Sequence, residues 1–323
     1  MPSTPRRDDA GDAAPLRGTA SARAGRTGRR TARAARRLTA GLLAAGALAL
    51  TLSGCGESVE PIERLGRKAT GEAHSGPSGG PTSPAPSAAP SASSDAYRHW
   101  GLSRPLEFAP KPERKPALPK AAPGRVPVVD RIPVPAGEKT VFLTFDDGAE
   151  RDPRFLRLAA DLKLPISMFL TDSVASGGYD HFAQLRDQGN GSQIQNHTLS
   201  HPNMRTLSYE AQKAQICGQQ DRLAARFGTR PRLFRPPYGN YNDNTLRAAR
   251  DCGAEAVVLW RASMQIKNLQ YAEGSALRPG DIILAHFRGP AELKGTTETE
   301  MTTRMLQKIQ EQGFKIGRLE DYL

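Results

Sequence analysis

Cysteine and long apolar runs are scarce in this chain of 323 residues, and each scarcity excludes a class of protein. Three cysteines are too few for a small scaffold held together by disulfides. The longest apolar run, from Leu38 to Ser53, has about 16 residues and is short for a membrane-spanning helix. Aromatic residues make up only 6% of the chain, and no segment combines them with basic residues in a nucleic-acid-binding motif.

The positive charge of the chain is concentrated near its N-terminus. The formal net charge is +12, and residues 1–40 contribute +7 of it through ten arginines and three aspartates. The remaining mild positive charge suits an anionic envelope surface. We therefore expect no nucleic acid among the partners.

An export signal is predicted for residues 1–54. A basic stretch around Arg29 and Arg36 precedes the apolar run, which is the pattern of a signal peptide. The run ends in Leu-Ser-Gly-Cys at residues 52–55, which resembles the cleavage box of a bacterial lipoprotein. This resemblance implies cleavage before Cys55, a lipid on its sulfur and an extracytoplasmic location on the cell membrane. The alternative is an uncleaved N-terminal anchor.

Composition divides the rest of the chain into three parts. Residues 55–95 are rich in Gly, Pro, Ser and Ala, and such a composition predicts a disordered tether. Residues 96–137 keep many prolines but add larger apolar residues such as Trp100, so this extended lead-in could lie against a folded domain. Residues 138–323 form the predicted domain, which is large enough to bury its own core.

Strand and helix patterns alternate through residues 138–323. The segment TVFLTF at 140–145 is typical of a buried strand, and residues 208–227 are typical of a long helix with Ser208 as its N-cap. This alternation predicts an α/β fold with a parallel sheet, either open or closed. If the sheet closes like a barrel, the chemistry belongs at the carboxyl ends of its strands.

Two carboxylates follow the first predicted strand, at Asp146 and Asp147. Successive residues of a strand point to opposite sides, so one carboxylate can bind a metal while the other handles a proton. An Asp-Asp-Gly sequence is also common in simple turns. His197 and His201 follow the third predicted strand, and histidines four residues apart have ligand spacing for zinc. The alternative is a surface loop that happens to hold two histidines.

Two further blocks end predicted strands. Arg235-Pro-Pro-Tyr238-Gly ends one of them, and its prolines stiffen the loop, which by itself could be purely structural. His286 ends the apolar segment at 282–286, where a buried core histidine with satisfied hydrogen bonds would be the ordinary interpretation.

Together, the order and spacing of these four blocks resemble the polysaccharide deacetylase family, the NodB-like group also called carbohydrate esterase family four. The resemblance covers about residues 139–323. It implies an irregular (β/α) barrel of about seven parallel strands. It also implies a hydrolase that removes N-acetyl groups from polysaccharides with a divalent metal, usually zinc.

The resemblance further implies a role for each residue of the four blocks. It assigns Asp147, His197 and His201 to the metal, Asp146 to the general base, Arg235 to holding that base, His286 to the general acid, and Tyr238, Trp260 and Leu284 to the substrate and its oxyanion.

One stretch departs from the family pattern, which usually has an acidic block after the strand that ends near Trp260. No Asp or Glu occurs between Glu255 and Glu273 in this chain, and Arg261 follows Trp260 directly. We expect Arg261 to lie at the metal end of the barrel, where it would lower the pKa of His286 and bind an anionic group of the substrate. The alternative is a solvated surface arginine.

If Cys55 carries lipid, Cys217 and Cys252 remain as an even pair in an oxidising compartment. They could form a disulfide or remain as two small buried thiols. We expect a monomer whose partners are a polysaccharide substrate and, through its lipid, the membrane.

The sequence leaves three functions open. The first is a metal-dependent deacetylase acting on peptidoglycan or a chitin-like polymer. The second is a catalytically weak or silent lipoprotein that binds glycan, and the altered stretch around Arg261 favours this function or the third. The third is a hydrolase of another C–N bond.

Overall fold

The computed structural model describes residues 95–323 of the chain. The predicted export signal, Cys55 and nearly all of the predicted tether lie outside these residues. The strands are β1 (Val128–Val129), β2 (Thr140–Asp147), β3 (Ile166–Leu170), β4 (Gln193–Asn196), β5 (Leu233–Phe234), β6 (Ala256–Val258), β7 (Ala262–Met264), β8 (Leu269–Tyr271), β9 (Ile282–His286) and β10 (Lys315–Gly317). The α-helices are α1 (Ala96–His99), α2 (Pro153–Asp161), α3 (Asp172–Ala175), α4 (Tyr179–Asp187), α5 (Tyr209–Phe227), α6 (Asp243–Asp251), α7 (Glu298–Glu311) and α8 (Leu319–Tyr322).

The strands form one curled sheet in the order β1-β6-β5-β4-β3-β2-β9-β7-β8, with β10 paired to β2. All pairs between named strands are parallel except β7 with β8, which form an antiparallel hairpin. The α/β fold predicted from the sequence is confirmed. The sheet has ten strands in the described residues rather than about seven, because several strands of only two or three residues join it.

The central strands are buried on both faces. Every residue of β3 is buried, and β2 is buried up to its last residue, as expected for strands covered by helices on one side and by the barrel interior on the other. Phe145 of β2 points outward and packs with Phe155 and Phe287 at ring-centroid distances of 5.3 Å. Since side chains alternate along a strand, Asp146 therefore points to the opposite side, into the barrel.

The long helix α5 begins where the sequence predicts. The Ser208 side chain accepts a hydrogen bond from the backbone N–H of Ala211, as an N-cap should. The helix ends at Gly228, which has a φ of 72° and closes it in the left-handed conformation. The sulfur atoms of Cys217 in α5 and Cys252 after α6 are bonded to each other, with the two Cα atoms 4.9 Å apart.

The segment at 96–137 belongs to the folded unit. Its strand β1 pairs with β6, and both Val129 and Ile132 are completely buried. Trp100 is also buried, and its indole Nε1 donates a hydrogen bond to Asp161 at 3.0 Å. The boundary expected at residue 138 is therefore too late, because apolar residues on the N-terminal side of it fill the core of the same domain.

None of the helices in residues 95–323 is both long and apolar enough to cross a membrane.

Candidate active site

The turn after β2 presents two adjacent carboxylates. Asp147 has a φ of 75° and Gly148 a φ of 88°, so the chain turns sharply as it leaves the strand. A Cβ atom on Gly148 would lie 2.7 Å from the Cβ of Ala175 and 3.0 Å from a methyl carbon of Leu170. Only glycine fits this position, and the tight turn sends Asp146 and Asp147 to different neighbours.

Asp147, His197 and His201 converge into one cluster. Their potential ligand atoms all lie within 4.8 Å of one another. The Oδ1 atom of Asp147 is 3.4 Å from Nε2 of His201 and 3.7 Å from Nε2 of His197. Two imidazole nitrogens and one carboxylate oxygen at this spacing can surround a small divalent cation and leave positions open for other ligands.

The tautomer of His197 leaves one ring nitrogen free to bind a metal ion. Its Nδ1 lies 2.7 Å from the backbone carbonyl oxygen of Arg235, so Nδ1 carries the hydrogen and donates it. The lone pair of Nε2 then faces Asp147 and is free to bind a metal. Burial, the largest influence, lowers the pKa of His197 to about 3, which keeps the ring neutral. The donor set therefore fits a metal ion on the geometry of these residues alone.

The loop that carries His201 is held by its own hydrogen bonds. Thr198 and His201 both have left-handed backbone angles, with φ of 76° and 57°. The Asn196 side chain accepts from the N–H of Thr198 at 2.8 Å, and the Thr198 hydroxyl accepts from the N–H of His201 at 3.0 Å. The second histidine is thus brought back towards Asp147 by a locally fixed turn.

Arg235 is completely buried and pairs with Asp146. Its Nη1 donates to Oδ1 of Asp146 at 2.6 Å and to the hydroxyl of Thr144 at 2.9 Å. Its Nε donates to the carbonyl oxygen of Val258 at 3.1 Å, and its guanidinium carbon lies 4.2 Å from the ring centroid of Phe169. Arg235 therefore holds the Asp146 carboxylate in one orientation.

Burial raises the pKa of Asp146 to about 6, and this outweighs the opposite influence of Arg235. Burial also lowers the pKa of Arg235, against the influence of Asp146. A carboxyl group with a pKa near neutrality is suited to accept and release a proton at physiological pH.

His286 ends β9 and is the Cα partner of Asp146 in the neighbouring strand β2. Burial lowers the pKa of His286 to about 3, and the positive charge of Arg288 is the next largest cause. Arg288 also lies 3.7 Å from Oδ2 of Asp147. Sequence reasoning missed Arg288, although its position two residues after His286 was a signal that both could serve one site.

These residues surround a pocket of about 360 Å³. It is lined by Asp146, His197, His201, Tyr238, Trp260, Ser263, Gln265, Gln270, Leu284, His286 and Arg288. Tyr238 is 64% exposed and its ring contacts that of His201 at a centroid distance of 4.6 Å. The pocket thus brings together most of the residues that the sequence singled out, including Tyr238, Trp260 and Leu284.

Arg261 lies away from this pocket, and the expectation that it lies at the metal end of the barrel is wrong. Its guanidinium pairs with Asp130 at 2.9 Å and with Glu273 at 3.0 Å, and it does not line the pocket. Its backbone N–H donates to the carbonyl of Ile282, at the start of β9, whereas His286 ends that strand. Arg261 lies there because β7, a short strand that begins directly after it, pairs with the start of β9.

Comparison with known proteins agrees with this geometry. The polysaccharide deacetylase family pattern matches residues 134–257. An uncharacterized protein of Streptomyces coelicolor is 48% identical over 199 residues, which cover 61% of this chain and 77% of that protein. A chitooligosaccharide deacetylase of Sinorhizobium fredii is 26% identical over 200 residues, 57% of this chain and 91% of the relative.

A solved peptidoglycan N-acetylglucosamine deacetylase shares the fold with a TM-score of 0.50 and 22% identity, over 60% of this chain and 92% of the other. The residues matched by the family pattern, 134–257, contain β2, β4 and β5. Asp146, Asp147, His197 and Arg235 lie at the ends of these strands. Residues 134–257 of this chain therefore belong to a polysaccharide deacetylase domain.

Proposed function

We propose that this protein is a metal-dependent hydrolase that removes N-acetyl groups from a cell-wall or extracellular polysaccharide, either peptidoglycan or a chitin-like polymer. The observation that carries the proposal is the Asp147, His197 and His201 cluster directly beside the buried pair of Asp146 and Arg235. The relative from Sinorhizobium fredii, a chitooligosaccharide deacetylase, supports this class of substrate.

The metal that we infer is zinc, because two imidazoles and one carboxylate are a typical catalytic zinc donor set. When bound, it supplies a Lewis acid that activates water and polarises an acyl oxygen.

Asp146 is the general base of the proposed reaction. Its carboxylate takes the proton that water loses as the water oxygen attacks the acetyl carbon. Arg235 fixes that carboxylate in place at 2.6 Å, and Asp147 is left to the metal. Asp146 therefore needs to be ionised at the start of each turnover, which its pKa of about 6 allows at neutral pH.

His286 serves the leaving group. When the C–N bond breaks, the sugar nitrogen keeps the electron pair and needs a proton. His286 is neutral in the free protein, because its pKa is about 3. Since His286 and Asp146 are Cα partners on adjacent strands, their side chains share one face, and a proton that Asp146 takes from water can pass to the amine through His286.

Two residues position the acetyl group. Leu284 is 4% exposed and offers an apolar wall to the acetyl methyl. We assign the backbone N–H of Tyr238 to the developing oxyanion. Such a donor contributes roughly 3–4 kcal/mol in acyl transfer.

Acetate release tests the proposal. The purified, zinc-loaded protein is incubated with chitin oligomers and with peptidoglycan, and acetate is measured with and without a chelator. We expect acetate from at least one polymer and none after the chelator has removed the metal. Glycan binding without acetate release would instead support the silent glycan-binding alternative, which the cationic neighbour Arg288 of His286 favours.

We also propose that the protein is exported and held at the cell membrane by lipid on Cys55, on the strength of the Leu-Ser-Gly-Cys sequence at 52–55. Cys55→Ala should then move the protein from the detergent phase to the aqueous phase in a partitioning experiment. Identical partitioning of variant and wild type would contradict the anchor.

A further inference from the structure

A second cavity lies beside the reaction pocket. It has a volume of about 430 Å³ and is lined by Gln265, Ile266, Lys267, Asn268, Gln270, Lys294 and Thr296. We call this cavity the cationic trough. Gln265 and Gln270 line both the trough and the reaction pocket, so the two cavities adjoin across the β7–β8 hairpin.

The charge of the trough is of one sign. Lys267 and Lys294 are both exposed, and neither forms an ion pair with any described carboxylate. No Asp or Glu is among its lining residues. Nη1 of Arg304 donates to the carbonyl oxygen of the lining residue Ile266 at 3.3 Å, but Arg304 itself does not line the cavity. An anion in the trough would therefore meet positive charge without a competing carboxylate in the lining.

At the opposite end of the β7–β8 hairpin, ion pairs neutralise the positive charges. Arg261 precedes β7 and pairs with Asp130 and Glu273, and Glu273 also pairs with Arg278 at 2.6 Å. Lys267 lies in the turn between the two strands, which is closed by a hydrogen bond from the Gln265 N–H to the Asn268 carbonyl. The unpaired charge is thus confined to the end of the hairpin that faces the trough.

The reaction pocket continues this cationic surface. Arg288 lines the pocket with a side chain that is 41% exposed, and the carboxylate nearest to it belongs to Asp147, at 3.7 Å. Between Arg288 and the two lysines lie the amides of Gln265 and Gln270, which can donate to and accept from sugar hydroxyls. A sugar chain could therefore place its acetamido group in the pocket and its next residue over the trough.

We propose that the substrate is an anionic glycan, and that the cationic trough binds a carboxylate or phosphate carried by a sugar next to the one that reacts. This proposal rests on the proposed deacetylase function, since it specifies the substrate class of the same site. Lys267 and Lys294 bind the anion directly, while Arg288 attracts it from the pocket side. The lysines are specificity residues with no part in the chemical step.

Binding can be measured without turnover in the zinc-loaded Asp146→Asn variant. Isothermal titration would compare three tetrasaccharides. One is neutral chitotetraose, one alternates N-acetylglucosamine with lactyl-bearing N-acetylmuramic acid, and one is chitotetraose with a single phosphate. We expect one anionic tetramer to bind about threefold to tenfold more tightly than the neutral one, with the advantage shrinking as salt rises. The anionic tetrasaccharide that binds more tightly than chitotetraose identifies the recognised group as a carboxylate or a phosphate.

The variant Lys267→Gln/Lys294→Gln, made in the same background, should lose that advantage. Its matched control is Lys163→Gln/Lys315→Gln, since both control lysines are exposed and Lys163 shares the φ of 51° found at Lys294. The control should keep the full advantage, and both double variants should melt as their parent does.

Equal affinity for all three tetramers, or no binding of any, would overturn the proposal, as would an advantage that survives the loss of both lysines. A preference for the anionic tetramer without acetate release by the wild type would contradict the deacetylase function but leave the trough assignment standing.

Discussion

The guanidinium of Arg235 lies 2.6 Å from the carboxylate of Asp146, and both side chains are almost completely removed from solvent. Arg235 comes from the end of β5 and Asp146 from the end of β2, so one ion pair joins two strands that are not neighbours in the sheet. The same Arg235 offers its backbone carbonyl to Nδ1 of His197. One residue thus orients both the proposed base and a proposed metal ligand.

Removal of Arg235 should therefore be costly. Arg235→Met leaves the Asp146 carboxylate buried without its partner, and we expect a loss of about 3–5 kcal/mol in the free energy of unfolding. In the double variant Arg235→Met/Asp146→Asn no buried charge remains, so much of this loss should be recovered. Urea denaturation of the single and double variants measures the coupling. Additive losses would show that the pair does not interact as the structure indicates.

His201→Ala should remove most of the bound metal, because only Asp147 and His197 of the cluster remain. Elemental analysis of the purified variant gives the metal content per chain. His99→Ala is the control, since His99 is exposed and far along the chain from the cluster, and it should keep the wild-type content. Unchanged metal in His201→Ala would remove this residue from the ligand set.

Glu298 should make stability depend on pH in a direction that can be worked out. Its carboxylate is 1% exposed, its two oxygens have no hydrogen-bond partner among the described residues, and burial raises its pKa well above 4.5. Folding then takes up a proton above pH 4.5, so the stability contributed by Glu298 is present below that pH and is lost as pH rises towards the folded pKa. Glu298→Gln should remove this loss.

We therefore expect Glu298→Gln to gain stability relative to the wild type as pH rises from 4.5 to 7. Glu300→Gln, two residues further along α7, is the matched control, and its effect on stability should depend on pH in the opposite direction. A hydrogen bond from the Thr297 backbone N–H lowers the pKa of Glu300, so its contribution is present at neutral pH and is lost as pH falls. Thermal melts that extend from below pH 4.5 up to pH 7 measure both, since the contribution of Glu300 is lost only below pH 4.5. A constant difference between Glu298→Gln and the wild type would contradict the buried, proton-binding carboxyl.

A chain that begins at residue 95 should fold, whereas one that begins at residue 138 should be strongly destabilised. The shorter chain lacks β1 and the buried side chains of Trp100, Val129 and Ile132, and it exposes the edge of β6. Loss of a single large core side chain costs about 2–5 kcal/mol, so three together approach the whole stability of a domain. Circular dichroism melts of the two chains decide this, and equal melting temperatures would show that residues 95–137 are dispensable.

The sequence allowed the centre of the site to be predicted because each motif lies at the carboxyl end of a predicted strand. The strand containing TVFLTF is long enough to be recognised, and its end fixes where Asp146 and Asp147 lie. Strands β1, β7, β8 and β10 have only two or three residues each, which is too short to produce a detectable alternation. Their pairing depends on tertiary contacts that local sequence does not encode.

The same limit explains the error at Arg261. The sequence does not reveal β7, and without it the segment after Trp260 is predicted to remain at the metal end of the barrel. The pair with β9 instead holds Arg261 near the start of that strand. Arg288 occupies the pocket, and its charge has the effect on His286 that was expected of Arg261. The disulfide between Cys217 and Cys252 depends on how α5 and α6 pack, which the sequence left open.

The most direct test of the account compares zinc-loaded wild type with zinc-loaded Asp146→Asn, measuring acetate released from N-acetylated oligosaccharide and metal content in the same preparations. We expect full metal content in both and a rate of acetate release that falls about 10²–10⁴-fold in the variant, because an amide cannot accept the proton from water. Near-normal acetate release by Asp146→Asn, with its metal retained, would contradict the assignment of Asp146 as the base on which the proposed hydrolysis depends.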